Sequence, residues 1–303
     1  MPETIIAGVD IRRPDDTRDC LALATRVAQL ADAELLAISV LTPSPSLDVA
    51  RCEQELRRIV EATTSEAGAA LAFAVRAVPA RSPGRILYEF SERTHAAAVV
   101  IGSSLRDSDG RWMPGSVAES LLHGGRWPVV VAPHRFAERS DTALRIIGAG
   151  FEDTAEAREA LRHAARLAES ARAELRVIAV VEPFLFSHIA MGHEHEGLEV
   201  EHALRQRTES SLAAAVAGLP EGVHCEPVLI DGATVPALTR LSAGLDLLVL
   251  GSCGYGAEGA VLLGPVSREL VRNAQCPLMI TPRLPATEPT AALSGSAAIA
   301  AEA

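Results

Sequence analysis

The sequence predicts an α/β chain of two tandem doubly wound domains, each built on a five-stranded parallel sheet. Three observations carry this prediction. The chain has 303 residues, about twice the length of a common single domain. Its first half reads again in its second, with TIIAGVD at 4–10 matching LRIIGAG at 144–150. Within each half, short apolar runs alternate with longer stretches of helical period, the pattern of parallel strands joined by crossover helices.

The elements of the first half follow in order. TIIAGVD, ELLAISVL, AFAVRAV, AAVVIGS and PVVVAP are short enough for strands and apolar enough to be covered on both faces. After the first of them, Leu21, Ala24, Val27, Ala28 and Ala31 recur at the spacing of one helix face, and the half reads βαβαβαβαβ. The repeat keeps an offset of 140 from Arg18 and Arg158 to Pro43 and Pro183, then 149 at Gly102 and Gly251 and at Pro133 and Pro282. Most of the nine additional residues are expected in the polar, histidine-bearing stretch 188–202. The charged segment 137–142 separates a first domain at 1–137 from a second at 143–285, and 286–303 reads as a disordered tail.

Hydrophobic residues make up 48% of the chain and aromatics only 3%, so Ala, Val, Leu and Ile must build the core. A formal charge of −11 argues against nucleic acid or an anionic membrane surface as partner. The five cysteines, Cys20, Cys52, Cys225, Cys253 and Cys276, are odd in number and form no CxxC pair, which favours reduced thiols and a cytoplasmic location. MPETIIAGVD lacks a basic segment followed by an apolar one, and no apolar run approaches the roughly 18 residues of a membrane span, so neither export nor membrane insertion is expected.

In an open parallel sheet the ligand crevice lies beyond the carboxyl ends of the strands, where the strand order reverses. The loops after the first and fourth strands are therefore the candidate site: Asp10 and Gly102 in the first half, Gly150 and Gly251 in the second. The segment GSCGYGAEGAVLLGPVSREL sets Gly251, Gly254, Gly256, Gly259 and Gly264 ahead of a helix, where backbone amides can approach a phosphate. The same glycines would also serve a tight strand-to-helix turn.

Gly251, two residues, Gly254, nine residues and Gly264 together resemble the nucleotide loop of universal stress proteins. That resemblance implies an adenine-nucleotide alpha-hydrolase-like, Rossmann-like fold, and ATP or AMP, with Mg as the accompanying ion, as the ligand. It further implies that Asp10 contacts adenosine and that the backbone at Val40 or Val180 meets the adenine edge. Gly102, Gly115, Ser116, Gly251, Gly254, Gly264 and Ser267 would then face phosphates. Each half departs from the pattern. Pro265 stands where the family has a hydroxyl residue, and Gly150 matches Asp10 at the 140 offset. In the first half Leu105 replaces the second glycine and Ala118 the last hydroxyl. No Lys or Arg lies between Gly251 and Ser267, and Glu258 adds negative charge, so the second site is expected to prefer AMP.

The function these residues imply is that of a universal stress protein holding an adenine nucleotide as a regulatory ligand in a stress response. It is not expected to be an enzyme, slow ATP hydrolysis being left open, because neither a Ser-Gly-Gly pyrophosphate loop nor a paired His motif is present. His188, His193, His195 and His202, with their neighbouring glutamates, offer metal-ligand chemistry in an irregular spacing that better fits a solvated acidic insertion. Cys253 is read as an inert loop thiol. The alternative is a scaffold with both pockets degenerate. The resemblance implies that the last strands, PVVVAP and PLMITP, pair the halves as an internal pseudo-dimer, with a homodimer of chains left open.

Overall fold

A computed structural model describes residues 3–102, 105–106, 112–113, 121, 126–139, 143–182, 194–252 and 263–282. The first half contains β1 (Thr4–Val9), α1 (Pro14–Ala31), β2 (Glu34–Leu41), α2 (Val49–Glu66), β3 (Phe73–Pro79), α3 (Pro83–Thr94), β4 (Ala98–Gly102), the short strands β5 (Leu105–Arg106) and β6 (Trp112–Met113), and β7 (Val129–Ala132). The second contains β8 (Ile146–Gly150), α4 (Ala155–Ala171), β9 (Glu174–Val181), α5 (Glu194–Ala217), β10 (Cys225–Asp231), α6 (Thr234–Ser242), β11 (Leu247–Gly251), α7 (Pro265–Asn273) and β12 (Leu278–Thr281).

Ten strands form one sheet in the order β10-β9-β8-β11-β12-β7-β4-β1-β2-β3. In this sheet every pairing inside a half is parallel, and the order reverses between β1 and β4 and again between β8 and β11. The halves meet through their last strands, as the resemblance implied. β12 runs antiparallel to β7, with Leu278 opposite Val131 and Ile280 opposite Val129. Two sheets that would each end in an open edge thereby close one edge against the other, removing a surface prone to stray pairing.

Side chains alternate between the two faces along each strand. Ile5 and Ala7 join a buried cluster with α1, α2, α4 and α5, while Ile6, Val99 and Ile101 join another on the opposite face. Both clusters run through both halves. α1 begins with Pro14 in its first turn, carries Asp15 and Asp16 against the amide end of its dipole, and ends at the left-handed Asp32. Its face of Leu21, Leu23 and Val27 is at most 2% exposed, and burial of such side chains contributes about 1.5–3 kcal/mol each. α4 starts on Thr154, whose hydroxyl accepts from the Ala157 amide at 3.2 Å, a cap of the kind that contributes about 1 kcal/mol.

The linker is tied down by one buried carboxylate. Asp19 accepts hydrogen bonds from the Arg135 amide at 2.7 Å and the Ala137 amide at 2.8 Å. Burial raises its pKa, against the two amides that favour the ionised form. Its repeat partner Glu159 instead pairs within α4, with Arg162 and with His163.

The repeat is less uniform than the two offsets in the sequence. Ile5 pairs with Leu35 and Ala98, while Ile147 pairs with Leu175 and Leu247. Ile5 therefore matches Ile147, and β1 maps onto β8 with an offset of 142 rather than 140. Leu35 pairs with Phe73 and Leu175 with Cys225, so β3 maps onto β10 with an offset of 152. The second half thus gains twelve residues between its second and third strands and loses three before its fourth. The gain falls between β9 and β10, the interval that contains 188–202, and 194–202 belong to the 24-residue helix α5 rather than to a loop. His188 and His193 lie outside the described residues, as does the tail at 286–303.

Candidate functional site

At the carboxyl ends of β8, β9 and β11 the second half encloses a cavity of about 660 Å³, within the range of roughly 300–1,000 Å³ common for small-molecule sites. Its apolar wall is Ile178, Val180, Leu238, Leu250 and Val266. Its polar rim is Glu152, Thr154, Glu156, Thr234, Ser252 and Ser267. Gly150, Gly251 and Gly264 complete the strand-end backbone around it. Of the residues singled out in the sequence, Val180, Gly251, Gly264 and Ser267 thus share one cavity. Gly254 falls outside the described residues.

The chain makes this cavity for local reasons. Gly251 ends β11 where the first turn of α4 crosses it, and a Cβ there would lie 2.8 Å from the carbonyl carbon and oxygen of Glu156. The glycine is therefore required by the helix backbone, whatever ligand sits beyond it. Gly102 plays the same part in the first half, where a Cβ would meet the Asp16 carbonyl oxygen at 3.0 Å. At the far side Gly264 caps α7 and Pro265 occupies its first turn. Proline suits that position because the first helical amides have no partner within the helix. The amides of Val266 and Ser267 remain at the cavity end of α7, and Ser267 is buried.

The carboxylate after the first strand is present in both halves. With the strand offset of 142, Asp10 corresponds to Glu152, not to Gly150, whose own counterpart is Gly8. The sequence reading failed here because the connection from β8 to α4 is two residues shorter than that from β1 to α1. Matching the helices shifts the strands out of register. The shared steps Ala7-Gly8 and Ala149-Gly150, each followed by one apolar residue and one acid, are the signal that would have found Glu152.

The two carboxylates differ in what they do. Asp10 is held by Arg12 through a two-pronged contact, Nε to Oδ1 at 2.8 Å and Nη2 to Oδ2 at 2.9 Å, and it also accepts from the Arg12 amide at 3.1 Å. Burial pushes its pKa up, but these hydrogen bonds and the charges of Arg12 and Arg13 bring it below the usual carboxylate value. Glu152 is exposed on the cavity rim, and its side chain has no hydrogen bond or ion pair among the described residues. A third acid, Glu182, accepts from the Thr234 amide at 2.8 Å, a bond that lowers its pKa and fixes its charge beside the rim.

Val40 and Val180 occupy matching positions in β2 and β9 but differ in exposure. Val40 is only 7% exposed, inside the cluster with Ile38 and Leu87, whereas Val180 is half-buried and faces the cavity. Gly115 and Ser116 lie outside the described residues. Part of the first-half loop that carries them is a small antiparallel ladder, with Leu105 opposite Met113 and Arg106 opposite Trp112.

Among the described residues no group of three or more His, Cys, Asp or Glu is placed to hold a metal, and no helix is long and apolar enough to cross a membrane. Cys20 and Cys276 are buried, and burial pushes the Cys276 thiol up to about 12, so neither is a reactive thiolate. Cys253 lies outside the described residues.

The family model of the universal stress protein family matches residues 1–133 and again 143–282. A universal stress protein of Mycobacterium tuberculosis is 26% identical over 282 residues, which span 86% of this chain and 94% of that one. A second from the same organism is 32% identical over 149 residues, covering 46% and 48%. Among solved structures, a universal stress protein from Archaeoglobus fulgidus superposes with a TM-score of 0.62 at 17% identity, over 92% of this chain and 98% of that one. A Pseudomonas aeruginosa protein described as a putative universal stress protein gives 0.63 at 14% identity, over 92% and 93%.

Proposed function

The chain belongs to the universal stress protein family, and on that premise we propose that it binds an adenine nucleotide in the second-half cavity as a regulatory ligand, without turning it over. The observation that carries this reading is the cavity itself: it lies at the reversal of strand order and brings Glu152, Val180, Gly251, Gly264 and Ser267 around one space. An adenine ring fits the wall of Ile178, Val180, Leu238 and Leu250, with its edge toward the backbone of Val180. Glu152 is suited to accept hydrogen bonds from ribose hydroxyls. The free amides of Val266 and Ser267 supply donors for a phosphate at the positive end of the α7 dipole.

The scaffold reading applies to the first half. There the carboxylate after the first strand is engaged by Arg12 and Val40 is packed into the core, while β7 pairs the two halves. Nucleotide binding therefore belongs to the second half and domain pairing to both. Calorimetric titration of the intact protein with AMP and ATP, repeated on Glu152→Ala, tests this. The expected result is one site per chain, weakened about tenfold or more by the substitution, as for the loss of a charge-assisted hydrogen bond. No binding heat and no thermal shift with either nucleotide would overturn it, and phosphate release proportional to protein concentration would overturn the regulatory part.

A further inference from the structure

Joining β7 to β12 closes two sheet edges and leaves two, β3 in the first half and β10 in the second. The pairing registers fix which backbone groups those edges present. In β3 the bonds from the Leu35 amide to the Ala72 carbonyl and from the Ala80 amide to the Leu41 carbonyl turn even-numbered residues toward β2 and odd-numbered ones outward. The chain seals much of that outward row itself. Arg76 donates to the Val75 carbonyl at 2.8 Å, Glu53 accepts from the Ala77 amide at 3.0 Å, and Pro79 has no amide hydrogen.

β10 has the same parity without the seal. The bonds from the Leu175 amide to the His224 carbonyl and from the Gly232 amide to the Val181 carbonyl turn Glu226, Val228 and Ile230 toward β9. Pro227, Leu229 and Asp231 therefore face outward. The Pro227 carbonyl, both backbone groups of Leu229 and the Asp231 amide take no hydrogen bond among the described residues. Over β10 lies α5, fastened to it by the ion pair of Arg205 with Asp231. Val200 and Leu204, one turn apart on α5, are the large hydrophobic residues left exposed among the described ones. An open backbone row with apolar side chains beside it is a template for strand pairing.

We infer that β10 is a dimerisation edge, taking the β10 strand of a second copy in antiparallel pairing about a two-fold axis at Leu229. The register is self-complementary. Leu229 opposite Leu229 exchanges two hydrogen bonds, and each Asp231 amide donates to the Pro227 carbonyl of the other copy. Val228 then stands beside Ile230. No acid faces an acid, since Asp231 opposes Pro227 and Glu226 opposes Gly232. Each of these acids already has an arginine, Arg205 for Asp231 and Arg176, at 3.1 Å, for Glu226. An axis perpendicular to the sheet keeps both copies of α5 on one face, which brings Val200 and Leu204 of each to the same side of the joint. The antiparallel joint of β7 with β12 is thereby repeated between chains.

Sedimentation equilibrium on the intact chain, from micromolar to near-millimolar concentration, tests this, and a reversible dimer is expected. Leu229→Pro removes an outward amide from each copy without touching the bonds to β9, as Pro227 already does. It should weaken the dimer about thirtyfold or more with little change in melting temperature. Should that variant fail to fold, Leu229→Cys in the intact chain answers the same question. Residues opposed in a hydrogen-bonded antiparallel pair have Cα atoms about 5.5 Å apart, within disulfide reach. Mild oxidation should link that variant into dimers and leave the parent unlinked, because Cys225 lies four residues from the axis. A monomer at every concentration would overturn the proposal. A dimer that a folded Leu229→Pro leaves at full strength, or that Leu229→Cys fails to link, would overturn it as well, because the interface would lie elsewhere.

Discussion

The two halves share a strand order, a glycine at the end of the fourth strand and an acid after the first, and in the second these surround a cavity of about 660 Å³ that Val180, Gly264 and Ser267 also line. In the first half Arg12 covers the acid and Val40 sits in the core. In the second, Glu152 stands on the rim and Val180 faces the space. The difference teaches that a duplicated scaffold need not duplicate its site. On the proposed reading, one copy holds the ligand while both keep the packing that joins them through β7 and β12.

The sharpest way to break this comparison is to fill the second-half cavity. Val180→Trp places a large ring against Ile178 and Leu250, and is expected to weaken AMP binding by about 100-fold or more, equivalent to roughly 3 kcal/mol. Retention of affinity in a folded variant would move the ligand elsewhere. The next largest effect concerns the linker. Asp19→Ala leaves two amides without their acceptor and should cost about 2–3 kcal/mol in urea unfolding. Glu159→Ala, which removes a carboxylate paired with His163 and the solvent-exposed Arg162 of its own helix, should cost under about 1 kcal/mol. Equal costs would mean that Asp19 does not anchor the linker.

Gly251→Ala and Gly102→Ala compare the same contact in the two halves. The closer approach at Gly251, 2.8 Å against 3.0 Å, predicts a loss of about 2 kcal/mol there and about 1 kcal/mol at Gly102, both read from urea midpoints. The smallest effect belongs to Asp10. Its pKa is lowered in the folded protein, so the stability it contributes is present above the ordinary carboxylate range and lost as pH falls through the lowered value. Because the pair with Arg12 is partly exposed, Arg12→Ala should lower the melting temperature slightly at neutral pH, by under about 1 kcal/mol in stability. The gap should close at acid pH. Asp10→Ala should leave AMP affinity within about twofold, since the ligand sits in the other half.

Much of this was legible in the sequence because periodicity and burial are local signals. The strands at 34–41 and 129–132 and the apolar face of α1 follow from alternation, helical spacing and the repeat, and the joining of the halves through their last strands from the resemblance to the family. The exchange of Gly150 for Glu152 was not legible in the same way. A two-residue shortening between β8 and α4 leaves the helix match intact and displaces the strand match, and only the pairing of Ile147 with Leu175 and Leu247 fixes the register. The length of α5 was hidden for a different reason. Its polar first half has no apolar face to betray a helix, and Val200 and Leu204 are exposed. Which of two similar carboxylates is covered by an arginine is likewise a matter of side-chain geometry, which spacing alone does not encode.

The most direct test of the central claim is amide hydrogen exchange of the intact chain with and without saturating AMP. Protection is expected at 151–157, at 178–182 and at 264–268, with no change at 9–13 or 38–42. Protection confined to the first-half segments would contradict the account.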